Sequence, residues 1–386
     1  MYVKWRKLIG VSFASVCVSF LNACGGGGSD TQSGGGVTSD NFDFASMMVN
    51  YADNVIIPNY QKLSDAAADL SASDGALASY CANIGTENEA AEKALVLSEW
   101  KSLQSAIQTS ELHILGPVLD NNGQLLNQIN PLNSASLSTC GIDQSVVLAS
   151  EDSTFSVASR TSNQRGSATL EYLLFNDDLS HSCPSQISET LGWNDRPELE
   201  KKQLRCEYAQ RIADDLNNSA SELLNIWAIP GGNYRGIFIN PVNDSMSLSA
   251  LSDAMFYLDV DVKDRKLGTP LGINNNACAS TSCPDEVESP YSESSLVHIR
   301  TSLVSFENML RGAEGAGFDD IIERAGVGAL NTRMFNVIDD AIALIDTMNT
   351  SLGEQAAAIT DTDQEAACAN AFANPSVESE YPACRL

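Results

Sequence analysis

The sequence predicts an all-α protein made of two packed helical-bundle domains. Three observations carry this. Apolar residues recur at helical spacing over long stretches, those stretches are broken by Gly/Pro terminators, and β-branched runs are confined to residues 145–149 and 154–158, inside a Ser/Asn-rich connection.

At the start of the chain, Lys4, Arg6 and Lys7 precede the apolar run 8–21, which reads as a secretory signal too short for a comfortable transmembrane helix. Leu21-Asn22-Ala23-Cys24 closes it in a way that resembles a bacterial lipobox, which makes 1–23 the signal peptide and Cys24 the acylated N-terminus of the mature chain. Gly25 after the cysteine looks like the pattern of lipoproteins sent to the outer membrane. Residues 24–40 then form a Gly/Ser-rich tether with an r.m.s. span of about 20 to 24 Å. The chain is expected to face the periplasm of a bacterial cell envelope, touching the membrane only through its lipid.

The N-terminal bundle is assigned to 41–190 and the C-terminal bundle to 191–386, with the boundary in the polar stretch 181–195. Val96, Trp100, Leu103, Ile107 and Ile114 share one helix face, and that helix is predicted to stop near Gly116-Pro117. Asp195-Arg196-Pro197 opens a long helix that carries Leu204, Tyr208, Ile212 and Leu216 at every fourth position, and Pro230-Gly231-Gly232 ends it. Further helices are predicted over 247–262, 292–310, 318–323, 331–348 and 352–373.

Composition narrows the function classes. With 386 residues, 50 Asp+Glu against 22 Lys+Arg and a formal charge of −28, the chain has no basic stripe to neutralise phosphates, so no nucleic-acid partner is expected. Eight cysteines remain after Cys17 in the signal and Cys24 at the anchor, an even number that fits an oxidising compartment. Pairing of sequence neighbours is expected: Cys81 with Cys140, Cys183 with Cys206, Cys278 with Cys283, and Cys368 with Cys384.

The sequence contains no H-E-x-x-H, G-x-S-x-G, P-loop or G-x-G-x-x-G signature. Candidate chemistry rests on acidic residues near apolar helix faces. Glu111 lies four after Ile107 and three before Ile114, and Glu171 lies three or four before Leu174 and Phe175. A carboxylate facing a core must be paired, hydrogen-bonded, metal-bound or protonated, and Arg165 is one available partner. His113 falls about 240° round from Ile107 if the helix continues, which predicts solvent exposure. His181 sits in a loop beside Cys183, and neither it nor His298 has a metal-ligand partner at i+3 or i+4.

Several segments together resemble the imelysin-like proteins, the insulin-cleaving metallopeptidase family of bacterial envelopes. They are Val55-Ile56-Ile57-Pro58-Asn59-Tyr60-Gln61-Lys62-Leu63; the stretch from Trp100 through Gln108-Thr109-Ser110-Glu111 to Gly116-Pro117; Arg165-Gly166 through Glu171-Tyr172-Leu173-Leu174-Phe175; Lys266-Leu267-Gly268-Thr269-Pro270-Leu271-Gly272; and Glu288-Ser289-Pro290-Tyr291-Ser292 with Ser294-Ser295. The resemblance implies two bundle-like helical domains with a site near their interface, to which Glu111, Arg165, Gly166, Glu288, Ser292 and Ser295 are assigned. It also implies a G-x-H-x-x-E signature whose His and Glu are metal ligands or catalytic groups. Here that signature reads Gly166-Ser167-Ala168-Thr169-Leu170-Glu171. A methyl group cannot coordinate a metal, so Glu171 is left as the metal candidate on that helix, with Glu111, Glu288 or His298 as replacement ligands for zinc or iron. The expectation is therefore a non-proteolytic envelope protein that binds a small ligand or another envelope protein, linked to iron or metal acquisition. The competing reading is an imelysin-family metallopeptidase with a rebuilt ligand set.

Overall fold

The structure, a computed structural model, describes residues 42–131, 136–278 and 281–386. Cys24, the signal segment and the tether over 24–40 lie outside the described residues. Among the described residues every regular element is helical.

Helix α1 (Phe44–Asn50) starts where the Asp43 carboxylate accepts the Ser46 backbone N–H at 2.9 Å, satisfying one of the orphan donors of the first turn. It runs through a π-helical segment, Tyr51–Ile56, into α2 (Ile57–Ser71). Next come α3 (Ala76–Asn83), α4 (Glu89–Ser110), α5 (Asp120–Ile129), α6 (Thr139–Glu151), α7 (Gly166–Phe175) and the 30-residue α8 (Glu198–Trp227). After α9 (Tyr234–Phe238) and α10 (Asp244–Met255), a second π-helical segment, Leu258–Gly268, precedes α11 (Ser295–Arg311). The chain finishes with α12 (Phe318–Arg324), α13 (Ala329–Asp346), α14 (Leu352–Ala357) and α15 (Thr362–Ala373).

Helix α2 packs along both α4 and α8, and α7 lies on α8. The α8 helix, which begins after the boundary read from the sequence, thus packs on helices that precede it. Helix α11 joins the later part of the chain to the earlier part by packing against α4 on one side and α13 on the other. Asn50 reinforces this from α1, donating to the carbonyls of Gly312 at 2.7 Å and Ala316 at 3.0 Å, while the Tyr51 hydroxyl donates to the Met309 carbonyl. Trp100, Trp227, Tyr51, Tyr60, Tyr172 and Tyr208 are among the largest fully buried side chains. Burial of such rings contributes a few kcal/mol each through apolar area removed from water.

Several predicted elements differ in detail. The β-branched run 145–149 lies inside α6, where Val146 and Val147 are buried; packing decides over local preference. The helix predicted over 352–373 is two, because Asp361 accepts the backbone N–H groups of Asp363 and Gln364 and starts α15 afresh. The α4 helix ends at Ser110, six residues before Gly116.

Two of the four expected disulfides are corrected. Cys81 bonds Cys206 and Cys140 bonds Cys183, whereas Cys278–Cys283 and Cys368–Cys384 pair as expected. The cause is tertiary: α3 packs against both α4 and α8, so residues 125 apart in sequence come within 5.6 Å at Cα.

Candidate functional site

The side chains of Glu111, Glu288, Lys266, Gln108, Asn130, Tyr257 and His298 converge in the interior where the C-terminal end of α4 meets the second π-helical segment and α11. Each element contributes for a local reason. Gln108 and Glu111 share the last turn of α4 at i, i+3 spacing. Asn130 follows α5 directly, Tyr257 immediately precedes the second π-helical segment, Lys266 lies in that segment's last turn, and Glu288 stands in the connection that leads into α11.

The centre of the cluster is the Lys266 ammonium. Its Nζ lies 2.6 Å from Glu111 Oε2, 3.0 Å from Glu288 Oε2 and 2.5 Å from Gln108 Oε1. The Lys266 and both glutamate side chains are 4–5% exposed. One ammonium between two carboxylates leaves a negative charge that neighbouring donors spread. Asn130 Nδ2 donates to Glu111 Oε1 at 2.7 Å and to Glu288 Oε1 at 3.1 Å, Gln108 Nε2 donates to Glu288 Oε1 at 2.8 Å, and the Tyr257 hydroxyl donates to Glu111 Oε2. His298 Nδ1 faces Glu288 Oε2 at 3.5 Å. Burial pushes the Glu288 carboxyl upward, but attraction to Lys266 and the contact with His298 outweigh it and hold the group well below the usual carboxylate range. Burial likewise disfavours the charged Lys266, yet the two glutamates keep its affinity for the proton above that of an ordinary lysine.

Glu171 is close by in the fold but differently held. It accepts the Ser292 backbone N–H at 2.8 Å from the connection before α11. Burial, with the charge of Glu288 added, raises its carboxyl from 4.5 to about 7 against the lowering effect of the Ser292 hydrogen bonds. Ser295 supports the same connection by donating from Oγ to the Glu288 carbonyl.

Gly166 and Arg165 have structural tasks. Gly166 adopts φ +71°, and a Cβ there would stand 2.4 Å from the Ile129 carbonyl oxygen and 2.5 Å from that of Gln128. The absence of a side chain therefore lets α7 approach the turn that presents Asn130. Arg165 makes a two-pronged pair with Asp215 of α8, at 2.8 and 2.7 Å, and so is not the partner of Glu171 that the sequence offered.

His113, expected to be exposed, is fully buried. The helix stops at Ser110, the chain turns through a hydrogen bond from His113 N to the Ser110 carbonyl at 2.9 Å, and the imidazole packs edge-on to Tyr60 with Nε2 at 2.8 Å from Asn59 Nδ2. Burial lowers its affinity for a proton to a pKa of about 3. His181, in its loop, accepts the Cys183 backbone N–H.

The sequence reading brought Glu111, Glu288 and His298 forward as replacement ligands, and these three do converge. It missed the roles of Lys266, Gln108, Asn130 and Tyr257. Two of these, Gln108 and Lys266, stand within the segments that carry the family resemblance, but nothing in a linear sequence says that their polar ends meet. The donor set does not fit a resident zinc or iron as arranged: a catalytic zinc takes three protein ligands and one open position, whereas here an ammonium stands between the two carboxylates. Among the described residues no group of three or more His, Cys, Asp or Glu is arranged to hold a metal ion.

Comparison with known proteins places the chain in a family. No curated protein matches the chain. Two solved structures share its fold: an imelysin-like protein from Psychrobacter arcticum, with a TM-score of 0.60 and 14% identity over 87% of this chain and 92% of that one, and a protein from Parabacteroides distasonis named "putative iron-regulated protein A precursor", with a TM-score of 0.59 and 16% identity over 92% and 96%. The family model described as imelysin matches residues 56–376, a span that holds every residue of the buried cluster. On that match, the chain belongs to the imelysin family.

Proposed function

We propose that this imelysin-family chain is a lipid-anchored protein of the bacterial cell envelope, held by Cys24 to the outer membrane on its periplasmic side. It binds a small ligand or an envelope partner at the site around Glu111, Glu288 and Glu171, and does not cleave peptides. The observation that carries the non-proteolytic reading is Lys266: its ammonium is the cation between the two carboxylates, so the pair is already neutralised in part and bridged. A metallopeptidase needs that position for an ion that activates water. The name of the Parabacteroides neighbour supports a link to iron supply at the level of fold alone.

The competing reading, a metal-dependent peptidase with a rebuilt ligand set, draws support from the convergence of Glu111, Glu288 and His298. The two separate in one experiment. Purified mature protein is incubated with unstructured peptide substrates and zinc or iron(II), with and without chelator. The non-proteolytic reading predicts no cleavage above background in either arm. Cleavage that the chelator stops would establish the peptidase. For the anchor, Cys24→Ser is expected to abolish fatty-acid incorporation, and normal acylation of that variant would refute the lipoprotein reading.

A further inference from the structure

Outside the buried cluster, α9, the turn that follows it and the start of α10 present apolar side chains to solvent. Val242 is 90% exposed, Met246 56% and Ile237 49%, and Ile229, in the turn that leads into α9, is 63% exposed. The backbone holds them together. The Asn243 side-chain amide donates to the Ile237 carbonyl at 2.9 Å, and the tight turn Pro241–Asn243 runs straight into α10, which puts Val242 and Met246 four residues apart on one face. Behind them the segment is fixed. Ser247 Oγ donates to the Phe238 carbonyl at 2.7 Å, and the Tyr234 and Phe238 rings pack on Trp227, the last residue of α8, with centroids 5.0 and 5.3 Å away. Apolar groups displayed outward on a rigid base suit contact with an apolar partner.

Two observations identify that partner. The first is charge: from Ile229 to Ser252 the chain carries one basic residue, Arg235, and one acidic residue, Asp244, in a protein with 50 Asp+Glu. Arg235 is itself paired with Asp53 at 2.5 Å. This face therefore approaches a headgroup surface without the repulsion that the strongly acidic remainder of the chain meets at anionic lipid. The second is position. Helix α10 packs on α1, and the Asp244 carboxyl is raised above its ordinary value by burial and by the charge of Asp43, the residue that caps α1. The described chain begins at Phe42, so the face stands beside the point where residues 24–40, read as a tether reaching about 20 to 24 Å, join the fold. An anchor at Cys24 then confines the face near the membrane, at an effective concentration where even a weak contact is occupied.

We propose that the face formed by Ile229, Ile237, Val242 and Met246 docks on the lipid bilayer, its apolar side chains entering the headgroup region and giving the molecule a fixed orientation on the membrane. The high local concentration rests on the lipid-anchored reading; the contact itself is between this surface and lipid.

The test puts a reporter on the face with Val242→Trp, since the native Trp100, Trp193 and Trp227 are buried. Emission of the acylated protein is read on phosphatidylcholine vesicles with and without brominated acyl chains, and mass spectrometry checks acylation of Cys24 separately. Leu191→Trp is the control: Leu191 is exposed and precedes α8, a helix about 45 Å long whose far end carries the proposed face. Val242→Trp is expected to shift to the blue and lose emission to the brominated chains, and Leu191→Trp to behave as wild type. The mature chain made without its signal, and so unacylated, is expected to give the same response at higher lipid concentration, and Met246→Asp to weaken that partitioning about tenfold. If Cys24 proves unacylated, this lipid titration still decides the docking. Val242→Trp emission indifferent to brominated lipid in the acylated protein, equal quenching at both reporters, or partitioning unchanged by Met246→Asp would overturn the proposal while leaving the anchor standing. Self-association of lipid-free protein that shields Met246 from oxidation would overturn it too, by assigning the face to a second copy of the chain.

Discussion

Lys266 Nζ and Glu111 Oε2 stand 2.6 Å apart in the interior, across 155 residues of sequence. The contact ties the second π-helical segment to the last turn of α4, and Glu288 extends it to the connection that leads into α11. In water such a pair contributes little. Buried, its worth depends on every partner being present, because each charge has lost its hydration.

Removing the ammonium alone is therefore expected to be costly. Lys266→Met leaves two buried carboxylates without their cation and should destabilise the fold by about 3 to 5 kcal/mol. The double variant Lys266→Met with Glu288→Gln should recover part of that loss, since one uncompensated charge goes with it. Urea unfolding of the four members of the cycle measures the coupling, and strict additivity would refute the pairing.

Glu171 gives a pH dependence of defined sign. Its folded pKa of about 7 lies above the ordinary 4.5, so between these values the folded state keeps a proton that the unfolded state releases. Stability must then fall as pH rises through that window. Glu171→Gln, which mimics the protonated carboxyl, escapes the loss. The stability gap between variant and wild type should widen in the variant's favour by about 3 kcal/mol from pH ~4 to pH ~8. Comparing the two proteins at each pH cancels the opposite effect of His113, whose buried imidazole costs stability as the pH falls. A gap independent of pH would show that Glu171 does not titrate in this way.

The disulfides make a covalent prediction. Peptide mapping of unreduced protein should recover Cys81 joined to Cys206 and Cys140 joined to Cys183. By the chain-entropy model, the first closes a loop long enough to contribute about 5 kcal/mol. Cys81→Ser with Cys206→Ser should lower the unfolding midpoint well below that of the Cys278→Ser with Cys283→Ser pair, which closes a five-residue separation. Recovery of a Cys81–Cys140 peptide would contradict the packing of α3 on α8.

Gly166→Ala should destabilise by at least about 2 kcal/mol, because the left-handed backbone and the close carbonyls penalise a methyl group together. Thermal unfolding checks it. A variant as stable as wild type would mean that α7 need not approach the Asn130 turn so closely.

What the sequence made legible was periodic. Val96, Trp100, Leu103 and Ile107 lie buried on one face of α4, and Leu216, Ile212 and Tyr208 do the same on α8. What it concealed depends on where helices stop and which of them touch. His113 was placed by counting angles along a helix that ends three residues earlier. Cys81 could be matched to Cys206 only by knowing that α3 lies on α8. Lys266 belongs to a charged run in which Lys263 and Arg265 pair with Asp259 and Asp261 near the surface, so its inward course shows no local sign. Glu111 and Glu288 were visible as candidates because acidic residues near apolar surroundings demand a partner. The partner itself came from a distant segment.

The most direct test is the metal content of the native protein and of Lys266→Ala, measured by elemental analysis after equilibration with excess zinc and removal of the unbound ion. If the ammonium serves as the cation of the site, native protein retains well under one equivalent, and the variant, with Glu111, Glu288 and His298 released to ligate, retains more. Stoichiometric zinc on the native protein, lost on Glu111→Gln or Glu288→Gln and unchanged by Lys266→Ala, would contradict that claim.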